Sequence, residues 1–346
     1  MMFRSIWGNH MKTKLIVCLL CGMLLTTSVV LAVPSENMKT STVETRHVSP
    51  LSADVPVWHV GGFWTYKVDN ISVNYQQNNQ TIYLSLSIDQ LPLTVDSASG
   101  DAYTLSFSTK ASGHGIIDVD AAQGPLNMIV DFTNVKLSGS VMIEKTQLGI
   151  QSIDATLQGL FRLNIIEQPF VPFQIHHFPI PITMHVIVDC SSPISILAFP
   201  MDTGLIYGLQ ATNLTINGEV HSIWLNIIHF ANTVMGFFGK AFITDPNIEV
   251  LFPVINIRDA LTAFGLPNVF SVPGVPEIFT TGNTTETITV PAGTYDVYNI
   301  SIAEGIGSIF YAPAAGNVVK ISGNFQDMIP FIQNIKMELI DTNYQG

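Results

Sequence analysis

The chain is expected to be a mainly β protein with few helices, its antiparallel sheets curled and arranged as two tandem units. Three features of the sequence lead there. From Val57 onward, short runs such as "FWTYKVDNISVNY", "TIYLSLSI", "AYTLSFST", "VKLSGSVMI" and "ITMHVIV" alternate apolar with polar residues and are rich in Val, Ile, Thr and Tyr, the pattern of half-buried strands. Gly, Asn, Asp and Pro separate the runs, as turns require. "GFWTYKVDNISVN" (62–74) is echoed by "GLIYGLQATNLTIN" (204–217), which divides the chain into β units over 55–198 and 199–346.

In chain order, Lys12 and Lys14 precede the run "LIVCLLCGMLLTTSVVLA", with small residues before a cleavage point after Ala32. Residues 1–32 therefore read as a secretory signal, a retained membrane anchor being the alternative. Residues 33–54 are polar and aperiodic, a flexible leader. "DSASGDAY" reads as a hairpin turn. Two Pro-rich apolar stretches, 169–182 and 264–279, should be edges or loops, because proline donates nothing to a ladder. Residues 224–243 are long enough to span a bilayer, but Asn226, His229, Asn232 and Lys240 favour a buried element. One helix is signalled over 257–264: Asn256 caps it, Ile257, Ala260, Leu261 and Phe264 hold its apolar face, and Gly265 and Pro267 end it. In "VPAGTYDVYNI" (290–300) the apolar parity changes across Ala292-Gly293. This predicts one long strand with a β-bulge at Gly293. "IFYAPAAGNVVKI" (309–321) reads as a hairpin turning at Pro313 to Gly316.

Composition narrows the function. The chain is 47 % hydrophobic and only 12 % charged, about half the usual ~25 %, so it has apolar surface to spare for a ligand or partner. Loss of residues 1–32 removes Arg4, Lys12 and Lys14 and no acid, taking the formal charge from −12 to −15. Such a chain repels phosphate backbones, so nucleic acid is excluded as a partner. Cys18 and Cys21 lie in the signal and leave Cys190 alone, which rules out an internal disulfide framework. Cys190 reads as a small buried residue. Five acceptor sequons, at Asn70, Asn79, Asn213, Asn283 and Asn299, suit an exported chain.

No catalytic motif stands out. His176, His177, His185, Asp189 and Cys190 form the best metal candidate. On a strand the two adjacent histidines diverge, and His185 and Asp189 lie about 13 Å apart. They therefore read as structural residues, with neither a metal nor a cofactor expected. Asp118 and Asp120 in "DVDAAQG" (118–124) lack the other ligands of a calcium loop and read as an acidic turn. Elbow, zincin, P-loop and dinucleotide patterns do not occur, so an enzyme is not expected.

"VPAGTYDVYNI" followed by "IFYAPAAGNVVKISG" resembles the paired signature of the TapB-like family of exported proteins. "FPMDTGLIYGL" (199–209) and "VGGFWTYKV" (60–68) are similar to the opening of such domains, Ile206 and Tyr207 standing where a Trp is common. The resemblance, clearest over 199–346, implies a LolA/LolB-like half-barrel, a curled sheet wrapped around an apolar groove and closed by a helix. It brings no catalytic residues. The resulting expectation is a secreted or cell-surface protein, open to a membrane-proximal location, that binds an apolar small molecule, a lipid or a lipidated surface protein without catalysis. Phe237, Phe238, Phe264, Phe270 and Phe279 are the expected groove residues. A structural or adhesive surface module and a hydrolase with an unrecognised site are the alternatives.

Overall fold

A computed structural model describes residues 52–77, 80–121, 124–167, 175–222, 254–258, 268–272, 274–324 and 332–344. The first half supplies β1 (Ser52–Ala53), β2 (Phe63–Gln77), β3 (Gln80–Ser97), β4 (Ala102–Ala121), β5 (Gly124–Glu144), β6 (Ile150–Glu167) and β7 (Ile175–Ile194). Then come β8 (Met201–Asp202), β9 (Ile206–Leu209), β10 (Thr212–Ser222), β11 (Val254–Asn256), β12 (Val269–Val272) and β13 (Val275–Thr281). The chain ends with β14 (Glu286–Val290), β15 (Gly293–Ile302), β16 (Gly307–Ala312), β17 (Asn317–Asn324) and β18 (Ile332–Thr342).

The mainly β expectation holds, and the strands are longer than the local runs suggested. β3 and β4 extend over 18 and 20 residues, well past the runs "TIYLSLSI" and "AYTLSFST" that mark them in the sequence. Sixteen strands form one antiparallel sheet whose main path runs β11-β10-β7-β6-β5-β4-β3-β2-β18-β17-β16-β15-β13-β9. The hydrogen-bonded ladder crosses the expected unit boundary at 198/199 twice, through β7–β10 and through β18–β2.

The sheet is not closed into a barrel. Its two ends are joined by the chain itself: β9 runs into β10 across Gln210-Ala211. Leu209 pairs with Val275 and Thr212 with Val272, so one antiparallel register continues on both sides of this corner. The backbones approach closely there, since a Cβ on Gly274 would stand 3.2 Å from the Ala211 nitrogen.

Several local readings are corrected. Val290 pairs with Gly293 and Ile288 with Tyr295, so Pro291-Ala292 is a two-residue hairpin turn between β14 and β15 rather than part of a bulged strand. Proline presets the turn, and Gly293 has φ of 148°, which glycine alone adopts readily. The parity change in the sequence records the turn. Residues 175–182, expected as edge or loop, belong to β7. Pro179 and Pro181 stand opposite Arg162 and Leu160 of β6, beyond Ser222, the last β10 residue in register with β7. The Ser222 hydroxyl donates to the Pro181 carbonyl at 2.8 Å. The prolines, which have no N–H to offer, stand past the residues of β10 that are in register with β7 and so interrupt none of that ladder. Within 264–279, Val269–Val272 and Val275–Phe279 are likewise strand.

The turns at 98–101 and 313–316 form as expected. Ile257 and Arg258 begin a helical turn, and the Arg258 N–H donates to Asn256 Oδ1 at 2.9 Å, the predicted cap. Residues 259–264 of that helix and all of 224–243 lie outside the described residues.

Midway along the strand order, aromatic side chains of β2 and of the segment just before it reach the β16–β17 turn. Trp64 is fully buried and its Nε1–H donates to the Ala315 carbonyl at 2.7 Å. Trp58 does the same to Gly316 at 2.9 Å, and the Tyr66 hydroxyl to Val318 at 2.9 Å. Trp58 packs on Trp64 at 4.8 Å between ring centroids and on Tyr103 at 5.1 Å. These bonds satisfy the turn's carbonyls where water is absent, which leaves the hairpin no low-cost alternative position.

Candidate functional site

Burial alternates along the long strands and assigns each face. On β7, Ile182, Met184, Val186 and Val188 are buried, whereas His185 and Asp189 face outward with higher exposure. The inward face is apolar across the sheet. One cross-strand row reads Leu86–Gly113–Phe132–Phe161–Ile180. Beside it run Ile88–Ala111–Val135 and Leu137–Leu157–Met184.

The aromatic pair at the centre has a structural cause. Phe132 and Phe161 are directly opposite on β5 and β6, with ring centroids 5.2 Å apart and 2 % exposure each. The Phe132 ring lies over Gly113, where an added Cβ would come within 2.2 Å of its Cζ and 2.4 Å of the Ser85 carbonyl oxygen. Glycine at 113 thus provides the space that the ring occupies. The arrangement is a packed apolar core with no charged side chain in these rows, held by dispersion contact and the exclusion of water.

The outward face carries the polar chemistry. His114 Nδ1 lies 2.7 Å from Asp131 Oδ1, and His185 Nε2 lies 2.7 Å from Asp154 Oδ1. The nearby Ser85 hydroxyl donates to the His114 carbonyl at 3.4 Å rather than to its ring. Each imidazole–carboxylate pair is therefore a cross-strand contact on a partly exposed surface, a kind worth little to stability. Among the described residues no three His, Cys, Asp or Glu side chains converge as metal ligands. Asp118 is exposed on β4 opposite Asn127.

The structure distributes the expected groove residues unevenly. Phe279 lies on β13, fully buried and stacked on Tyr207 at 5.0 Å and 29°. Phe270 occupies β12 opposite Leu214. Phe237, Phe238 and Phe264 lie outside the described residues. Phe132 and Phe161 were missed by sequence reasoning that looked for aromatics in the Pro-rich stretch 264–279 and the apolar segment 224–243. Their signal was the period-two alternation of β5 and β6. Of the sequon asparagines, Asn70, Asn213 and Asn299 lie within β2, β10 and β15, Asn283 is in the β13–β14 turn, and Asn79 lies outside the described residues.

Cys190, half-buried on β7 opposite Leu214, has its thiol pushed up to about 11, first by burial and then by the neighbouring Asp189 carboxylate. Against the ordinary value of 9.0, this leaves about a hundredfold less thiolate near pH 8. In a Cys18→Ser, Cys21→Ser background, native Cys190 should react with a thiol reagent far more slowly than the unfolded chain, and Asp189→Asn should accelerate it. Equal rates in native and unfolded protein would contradict this environment.

No family model, curated protein or solved structure matches the chain. Fold and site together define it as a protein built on a large open antiparallel sheet with one buried apolar face and one more exposed polar face.

Proposed function

We propose that this is an exported protein that binds an apolar molecule, or the lipid of a lipidated partner, against the inner face of a curled, half-barrel sheet, without catalysis. The supporting observation is the corner between β9 and β10. Twelve strand-to-strand steps separate β10 from β9 along the ladder, about 55–60 Å in a flat sheet. The three Cα steps from Leu209 to Thr212 span at most about 11 Å. A sheet with its ends tied so closely has to bend through most of a turn, and its apolar rows then line the concave side. The driving force for a ligand is apolar area removed from water, about 25 cal/mol per Å². Export rests on residues 1–32, which lie outside the described residues.

Native mass spectrometry of the secreted protein tests this reading. A co-purifying lipid, released by organic solvent and rebound from vesicles, is the expected result. Ligand-free oligomers that take up no lipid would replace it with the structural module.

A further inference from the structure

We propose that Asn283 is the position at which the exported chain carries an N-linked glycan, and that the sequons at Asn70, Asn213 and Asn299 stay bare. The four share one motif, and their surroundings separate them. Asn283 and Thr284 are exposed in the turn that joins β13 to β14, and no hydrogen bond engages the Asn283 side chain among the described residues. The turn is held from its flanks instead: Gly282 N–H donates to the Asn299 carbonyl at 2.8 Å, and Gly204 N–H to the Gly282 carbonyl at 3.0 Å. The acceptor is thus displayed on a fixed base, with solvent around it for a large polar group.

The other three are embedded in the ladder. Asn70 sits in β2 opposite Lys336 of β18, at a register shift against β3, and Ser72, the hydroxyl its sequon needs, is 2 % exposed. Asn299 sits in β15, paired with β16, and its Oδ1 is buried without a hydrogen-bond partner among the described residues. Asn213 is exposed, but β10 is paired there with both β7 and β12, and its Oδ1 already accepts the Ser271 hydroxyl at 2.8 Å. In extended backbone the hydroxyl two residues on stands about 7 Å further along the strand, so Thr215 is poorly placed to meet the Asn213 amide.

In the reaction, the Asn283 amide nitrogen bonds to the anomeric carbon of a lipid-phosphate-linked oligosaccharide. The bond from that carbon to the phosphate oxygen breaks with its electron pair on the leaving lipid phosphate, and the nitrogen gives up one proton, which passes to solvent. No oxidant or reductant is needed. Solvation of the glycan at this turn would keep it clear of the concave face.

This inference rests on the export reading, and the test separates the two. The full chain is placed behind the secretion signal of an N-glycosylating host, so that export no longer depends on residues 1–32, in an Asn79→Gln background. The folded, secreted fraction is weighed before and after an amidase that releases N-glycans and leaves Asp. The expected result is a glycan at position 283, lost completely in Asn283→Gln and in Thr285→Ala and retained in Thr285→Ser. Glycan persisting in Asn283→Gln, or unmodified protein beside a glycosylated control, would overturn it.

Discussion

Trp64→Ala is expected to remove about 3–5 kcal/mol of unfolding free energy, the range for a fully buried large aromatic. The side chain is enclosed between Trp58 and Tyr344, at 4.8 and 5.8 Å between centroids. Its indole N–H is the donor to the Ala315 carbonyl, so truncation opens a cavity and strands a buried acceptor together. Trp64→Phe separates the two effects: most of the ring remains, and the unpaired carbonyl costs about 1–3 kcal/mol. Chemical denaturation with an unchanged slope measures both. The exposed Val57, 63 % accessible, is the control, and Val57→Ala should stay within about 0.5 kcal/mol of the parent. A similar value for Trp64→Ala would mean that β2 does not fix the β16–β17 turn.

The same contact shows what local pattern reveals. Strand identity was legible, because Val, Ile, Thr and Tyr at alternate positions suit a surface buried on one side. Turns at 98–101 and 313–316 were legible for the same local reason. Partnership was not: β2 finds β18, which follows it by more than 260 residues (Lys67 opposite Glu338), and no local pattern carries that pairing. Pro179 and Pro181 misled because a proline's tolerance depends on which neighbours lie beside it, and that depends on where β10 ends. Ala292-Gly293 misled because a parity change marks a bulge or a two-residue turn equally well, and only the pairing of Val290 with Gly293 decides. The expected groove aromatics came from the segment 224–243 and the Pro-rich stretch 264–279, whereas Phe132 and Phe161 sit on alternating strands whose buried parity was readable once the sheet's sidedness was known.

Phe132→Ala and Gly113→Ala should each destabilise the protein, and together they should cost less than the sum of the two. Phe132 is almost fully buried against Phe161, so its loss is expected to cost about 3–5 kcal/mol. Alanine at 113 puts a Cβ 2.2 Å from the Phe132 ring and 2.4 Å from the Ser85 carbonyl, an overpacking cost of about 1–3 kcal/mol. Removing the ring relieves the first clash and leaves the second, so the double variant should fall short of additivity by about 0.5–3 kcal/mol. Binding adds a readout that packing alone does not supply. If the inner face holds an apolar ligand, Phe132→Ala changes the affinity of a fluorescent alkyl-chain probe in folded protein, and Val57→Ala does not. Strict additivity would show that the ring does not rest on Gly113. Unchanged probe affinity in a folded Phe132→Ala variant would place any apolar binding elsewhere on the molecule, because truncating this buried ring opens a cavity in the rows that the ligand would have to meet.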